Sequence, residues 1–577
     1  MILQALKEYY DRKAADPESG IAPPGWERKE LPFLITLAKD GSPVGIEDTR
    51  EPDGKKLRAK PFLVPQAVKR TRREMANLLW DDPEYALGMN IKDSPDKAAK
   101  KHALFIQRIE EEHGLDTIPD VVSLITFLNN PNKLEMLSKV ASEGFEELKK
   151  ASFISFKIAG HSEPIFRVPE VINQINTNRN TTKEDTIFCM VSGKQDAIAT
   201  LHPAIKGVLG ANTTGGNIVS FNAAAFCSFD KQQGNNAPVG ETTAFAYTTA
   251  LNTLLAKDSR QKMQVGDATT VFWADKATQM EESFIDFWAE PPKDDPDRLA
   301  SAVRALFESV ETGAFVATEN NTRFHVLGLA PNAARIAIRF WHTSTIPELA
   351  RNIRAYFEDL RIVHGPRDQE DLSLWRLLVS TAVQGKTENI NPNLAGQVMR
   401  SILEGLPFPA ALLQAAVIRI KAERDVSYPR AKLVKGCLNR KSRTQPNPQE
   451  RMLTMSLDKE NTNVGYCLGR LFAVLEKIQQ EANPGINATI RDKFYAAASS
   501  APSTVFGNLM RLKNYNLSKL ESTGRRIWFE KLIGEIVDKV STFPAHLKLD
   551  DQGRFAIGYY HQMQDLWTKK SDKTPTA

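Results

Sequence analysis

The apolar spacing of this chain changes character once, near residue 345, and that change limits the folds open to it. Before that point, short runs with two-residue alternation are separated by stretches with apolar residues every three or four positions, the pattern of strands interleaved with helices. LPFLITL at 31–37 reads as a strand ended by Gly41-Ser42-Pro43, and a strand pair flanks the turn Pro52-Asp53-Gly54. FISFKI at 153–158, TIFCMV at 186–191, NIVSF at 217–221 and RIAIRFW at 335–341 read as further strands. In the last, alternation places Ile336, Ile338 and Phe340 on one face and Arg335 and Arg339 on the other. Helices are predicted for MILQALKEYYDRK at the N-terminus, over 98–112 and over 240–257.

Beyond residue 345 the strand signal stops. AVIRIKAER, VGYCLGRLFAVLEKIQQEA and RRIWFEKLIGEIVDKV carry apolar residues at three- and four-residue spacing. In the second, Val464, Cys467, Leu468, Leu471, Val474, Leu475 and Ile478 form one stripe, which a bundle core requires and a partner-docking face would also show. RKSRTQPNPQE at 440–450 reads as a polar linker. The expected fold class is α+β: a mixed α/β N-terminal domain at 1–345, a connecting helical region at 346–445 and a C-terminal helical bundle at 446–577. A chain of 577 residues is too long for one ordinary core, so several packed units are expected.

No apolar run approaches the roughly 18 residues that span a bilayer, and the N-terminus lacks a signal-peptide pattern. Cys189, Cys227, Cys437 and Cys467 lie far apart with no CxxC pair, so neither a zinc site nor a disulfide framework is expected. A reducing cytoplasm fits, with no membrane partner.

Charge is segregated. The net charge is only +5, yet residues 55–73 hold eight Lys or Arg and no acid, and 411–443 hold nine against Glu423 and Asp425. Residues 281–297 reverse this, with seven acids and Lys293 as the one base. Basic blocks of this kind fit polyanion binding, and a solvated charged face explains any one of them equally well.

Catalytic motifs fail one after another. Gln384-Gly385-Lys386-Thr387 resembles the end of a phosphate-binding loop, but Ser380 stands where the first glycine belongs and the preceding LWRLLVSTAV reads as helix. No histidine precedes an aspartate, and neither HExxH nor GxSxG occurs. His325 and His342 read as core or rim residues, and Cys437 as a buried thiol despite its basic surroundings. A binding protein without catalytic centre, metal or cofactor is expected.

Binding chemistry shows in two polar loops. Gly210-Ala211-Asn212-Thr213-Thr214-Gly215-Gly216-Asn217 is one, and Lys231-Gln232-Gln233-Gly234-Asn235-Asn236 the other. Amide and hydroxyl side chains can probe base edges in a DNA groove, and glycine lets the backbone approach closely. Two ordinary surface turns would have the same composition. The expected duplex contacts are Asn212, Thr213, Thr214, Gly215, Gly216, Asn217, Gln232, Gln233, Asn235 and Asn236, with Lys69, Arg70, Arg72, Arg73 and Lys206 on phosphates.

The blocks MILQALKEYY, PPGW at 23–26, KPFLVPQ at 60–66, NLLWDDPEYALG at 77–88 and LHPAIKGV at 201–208 resemble the large subunit of the type I-C CRISPR Cascade complex. So do VSFNAAAFCS at 219–228, AFAYTTALN at 244–252, HVLGLAPNAARIAIRFW at 325–341, NPNLAGQVMRSILEGLPFP at 391–409 and NVGYCLGRLFAVLEKIQ at 463–479. The resemblance implies a non-catalytic subunit of a guide-RNA ribonucleoprotein, with backbone, guide-processing and small subunits as partners and a helicase–nuclease recruited later. It implies recognition of the protospacer-adjacent motif in duplex DNA, promotion of the R-loop, and a C-terminal bundle that resembles the small subunit and lines the displaced strand. Basic residues expected along that path or on backbones are Arg419, Lys421, Lys432, Lys435, Arg440, Lys441, Arg491, Lys493, Arg511, Lys513, Arg525 and Arg526. A separate product started inside the chain, at Met452 or Met455, is also implied. The competing expectations are a free-standing sequence-specific DNA-binding protein and a metal-dependent nuclease.

Overall fold

The computed structural model describes residues 1–577 except 55, 69, 71–73, 180–185, 313–320, 446–450 and 568–577. Two compact units result: Met1–Pro203 with Val219–Thr253, and Ala204–Ile218 with Leu254–Ala577.

The first unit opens with helix α1 (Ile2–Ala14), which buries Ala5, Leu6, Tyr9 and Tyr10. Its four-stranded sheet has the order β3 (Pro43–Asp48), β2 (Phe33–Leu37), β8 (Ile154–Ile158), β7 (Trp80–Asp81). β2 and β8 run parallel, joined by a crossover containing helices α2 (Pro95–Glu110) and α3 (Pro119–Asn129). Phe105 of α2 and Phe127 of α3 meet Phe156 of β8, each with ring centroids 6.3 Å apart. Three small strand pairs flank this core: β1 (Trp26–Glu30) with β6 (Pro61–Pro65), the hairpin of β4 (Arg50–Asp53) and β5 (Lys56–Ala59), and β9 (Thr186–Phe188) with β10 (Gln195–Ala197). The hairpin is the one expected around Pro52-Asp53-Gly54. Helix α4 (Glu241–Leu254) brings Phe245 edge-on to Tyr10, with centroids 5.7 Å apart.

The second unit holds an antiparallel meander of β11 (Lys262–Val265), β12 (Ala268–Ala274), β13 (Arg323–Asn332) and β14 (Arg335–Thr345). After it the chain is helical: α5 (Ile346–Leu360), α6 (Leu374–Val379), α7 (Ala410–Glu423), α8 (Tyr428–Thr444), α9 (Val464–Ala482), α10 (Ile490–Ala498), α11 (Phe506–Ser518), α12 (Thr523–Val537) and α13 (Leu549–Trp567) are its main elements. One hydrophobic core runs from the sheet through these helices. Six members of the predicted α9 stripe, from Cys467 to Ile478, are buried, and Val464 is half-buried. Its start is set by Asn463, whose Oδ1 accepts a bond from Tyr466 N at 3.1 Å. Thr489 and Asp492 form a reciprocal capping box at α10.

Three sequence expectations are corrected. Val219–Phe221 are not a strand; Asn217 makes one isolated bridge, to Arg335, and no ladder partner follows. In β14 a bulge shifts the register between Gly328 and Leu329, so Phe340 pairs with Gly328 while Ile338 pairs with Leu329. The extra residue, Arg339, puts Phe340 on the face opposite Ile336 and Ile338, and Ile338 is 41% exposed. Finally, residues 440–444 continue helix α8 because Arg440 and Arg443 are both drawn to buried Asp359. Residues 446–450 of that linker lie outside the described residues.

Candidate nucleic-acid interface

The first polar loop is a clip mounted on the meander. Ile205 N donates to Gly216 O at 2.8 Å and Gly216 N returns a bond to Ile205 O at 2.9 Å. Inside this closure, Gly215 N donates to Asn212 O at 2.9 Å, a tight turn in which Gly215 takes φ +92°. A Cβ at Gly215 would sit 2.7 Å from Ile205 O, so only glycine allows the two limbs to meet. Leu209 N donates to Thr269 Oγ1 on β12 at 3.0 Å, and Ile336 N on β14 donates to Asn217 O at 3.1 Å. Ile205 and Val208 are buried beneath the loop. The outcome is a fixed base with Asn212, Thr213 and Thr214 exposed at the tip, Lys206 exposed on the rising limb, Gly216 buried and Asn217 half-buried. Arg335 stands opposite Asn217 at the start of β14. The sequence reading assigned Arg335 only to the outer face of a strand; its basic alternation in RIAIRFW was the available signal.

The second loop belongs to the other unit. Gln232, Gln233 and Asn235 are exposed. Asn236 is engaged internally: its Oδ1 accepts from Ser228 N at 2.9 Å, and its Nδ2 donates to Lys231 O and Gln233 O, each at 3.0 Å. It therefore shapes the loop and is not a free amide edge. Beside it, Phe229 and Asp230 hold positive φ, and Phe229 is 94% exposed. Neither feature was read from the sequence, because a phenylalanine in an apolar-looking stretch looks like core.

Arg70 also has a different role from the expected phosphate contact. Its guanidinium pairs with fully buried Asp81, donates from Nε to Met75 O at 2.6 Å and lies 4.0 Å over the Tyr85 ring. Burial pushes the Asp81 carboxyl up to about 6, with Arg70 opposing the shift. Arg70 thus anchors the segment after β6. Lys69, Arg72 and Arg73 lie outside the described residues.

In the helical half, three expected strand contacts are interior. Lys432, Lys435 and Arg440 are 1%, 3% and 0% exposed. Lys432 Nζ donates to Glu370 O at 2.6 Å and Lys435 Nζ to Asp359 O at 3.1 Å. Arg440 bonds the carbonyls of Ser401 and Leu406 and lies 3.6 Å from Asp359. Burial brings both lysines down to about 8. Helix α8 is enclosed along most of its length, so these three cations bind carbonyls and Asp359 and cannot reach a nucleic acid. Cys437 on the same helix is buried, which pushes its thiol up.

Other expected cations hold protein partners nearer the surface. Arg419 pairs with Glu423 at 3.5 Å, Lys441 with Asp550 at 2.5 Å, Arg491 with Glu476 at 3.8 Å, Lys513 with Glu530 at 3.1 Å and Arg525 with Glu481 at 2.7 Å. Lys421 Nζ donates to Gln552 Oε1 at 2.7 Å, and Arg526 Nε to Leu520 O at 2.8 Å. Lys493 and Arg511 are exposed. The aromatic residues of this half, among them Tyr495, Phe506 and Tyr515 as stacking candidates from the sequence, divide: Tyr515 on α11 is 61% exposed with Lys519 4.4 Å above its ring, and Trp528 on α12, which the sequence reading missed, is 38% exposed with Arg525 at 4.3 Å. Tyr495 and Phe506, by contrast, are core.

The family of the CRISPR-associated protein (Cas_Csd1) matches residues 6–567. The chain belongs to this family. Cas_Csd1 proteins are the large subunit of the type I-C Cascade and are generally non-catalytic, so the resemblance read from the sequence holds over nearly the whole chain. The matched span begins within α1 and takes in both polar loops and α2 to α13. No curated protein matches. Among the described residues no group of three His, Cys, Asp or Glu side chains is placed to hold a metal ion, and no helix is long and apolar enough to cross a membrane.

Proposed function

We propose that this Cascade subunit inspects duplex DNA for the protospacer-adjacent motif, starts strand separation and steadies the displaced strand before a helicase–nuclease is recruited. The single observation that carries the reading is the rigid loop 205–217: a neutral amide and hydroxyl tip beside Lys206 and Arg335, mounted on a sheet. Neutral donors and acceptors suit base edges, whereas cations set lower on the mount suit phosphates. Guide RNA and the backbone, guide-processing and small subunits complete the assembly. In assembled Cascade, Lys206→Ala combined with Arg335→Ala should weaken duplex binding alike with and without the motif, and reduce the slope of log affinity against log salt by about 2, one per phosphate. Unchanged affinity and slope would remove the loop from the interface.

The same reading treats 446–577 as the equivalent of the small subunit, also made separately from Met452 or Met455. Both methionines are exposed and precede α9. A bundle started at Met452 would lose Asn439 of α8, whose side chain clips Leu453 with two bonds of 2.8 Å, one started at Met455 would lack Leu453 itself, and both would lose the cover that Val434 and Leu438 provide over Gly553 of α13. Either must therefore regain that cover from a neighbouring subunit. Expression of the gene alone should yield a fragment of roughly 14 kDa, at about 110 Da per residue, starting at one of these methionines. Replacing both with leucine should abolish it and spare the full chain; persistence would point to proteolysis instead.

A further inference from the structure

The second unit carries a groove lined by none of the residues assigned above to DNA. It has a volume of about 420 Å³ and is lined by the β11–β12 turn, Trp288, helix α6 and the turn at 387–390. Its floor is apolar: Val265, Trp288, Leu374, Leu378 and Ile390 are each no more than 7% exposed. Trp375 forms an open wall, 47% exposed. The ionisable groups in the lining are two carboxylates, Asp267 and Glu388, with no Lys or Arg. Asp267 is held by Arg339 at 2.7 Å, which leaves Glu388 as the exposed charge. Trp288 itself lies in the acid-rich stretch 281–297. Its indole is 4% exposed, and Nε1 has no hydrogen-bond partner among the described residues. Thr387, the last residue of the motif that resembled a phosphate-binding loop, serves as groove wall; positive φ at Gln384 and Gly385 turns the chain there.

We propose that this groove docks a polypeptide segment of another subunit, one carrying an aliphatic or aromatic side chain flanked by Lys or Arg. The apolar side chain enters between Trp375 and the floor, where desolvated aromatic contacts concentrate binding energy. The flanking cation faces Glu388. A nucleic acid is disfavoured because its phosphates would meet carboxylates with no cation in the lining to offset them. The proposal is independent of whether loop 205–217 reads DNA.

The test is selection of a displayed random-peptide library on the full-length chain, counter-selected on the exposed-site variant Trp375→Ala. Enriched peptides should pair an apolar residue with Lys or Arg. Their synthetic forms should lose about tenfold or more in affinity, the usual cost of removing an interface anchor, on Trp375→Ala. Glu388→Lys should do the same and shift preference to acidic flanks, with thermal melting unchanged in both variants. Three results would overturn the proposal: no peptides selective for the unmodified chain; enriched peptides that are acidic or bind Trp375→Ala equally; or displacement of the peptides by an oligothymidylate that itself needs Trp375.

Discussion

Replacing Asn212, Thr213 and Thr214 together by alanine should reduce the preference of assembled Cascade for motif-bearing duplex by at least about tenfold, the scale set by roughly 1–3 kcal/mol per well-made base contact. Affinity for duplex without the motif should change little, because these side chains carry no charge. Stability should also hold. The loop is closed by main-chain bonds between Ile205 and Gly216, pinned by Leu209 N on Thr269 Oγ1 and joined to β14 through Asn217 O. None of these involves the three side chains. Gly215→Val makes the complementary probe, since it keeps all three but forces a Cβ towards Ile205 O and a φ that valine resists. Discrimination should fall in both variants. Full preference in the alanine variant, measured by competition between the two duplexes, would show that the tip does not read the groove.

Gly469→Val should be among the most damaging single changes in the helical half, costing about 4 kcal/mol or more, beyond the usual range for overpacking. At Gly469 a Cβ would lie 2.0 Å from Phe555 O, at Gly558 2.1 Å from Tyr466 O, and at Gly465 2.4 Å from Asp551 O. Helices α9 and α13 therefore touch backbone to backbone, and no rotamer change can relieve the clash. Pushing them apart would also break a buried polar seam: Tyr559 OH donates to Glu476 at 2.7 Å, Arg470 Nε to Gln562 at 3.1 Å, and Tyr466 OH meets His561 Nδ1 at 3.0 Å. Buried groups left without these partners are costly. Gly534→Ala on α12 is the control; nothing lies within 4 Å of its Cβ position, so it should stabilise by up to about 1 kcal/mol through helix propensity. Thermal and urea unfolding separate the two. Equal melting of both variants would mean that the helices part easily.

What the sequence by itself determined was local and periodic. The strand at β2, the hairpin of β4 and β5 and the stripe of α9 were legible because side-chain direction follows from spacing along one element. Family membership was legible because ordered blocks spanned the chain. The composition of loop 205–217 was visible too, although its closure was not: that depends on Ile205 meeting Gly216 and on anchors in β12 and β14. Only the tertiary structure decided the rest. One inserted residue reversed the face of Phe340, and Lys432, Lys435 and Arg440, which look like any surface cations in the sequence, turned out to serve Asp359 and main-chain carbonyls. A charged side chain has the same letter whether it faces water or a carbonyl. Which it faces is fixed by helices distant in sequence, and so is the close approach of α9 and α13 that makes three glycines indispensable.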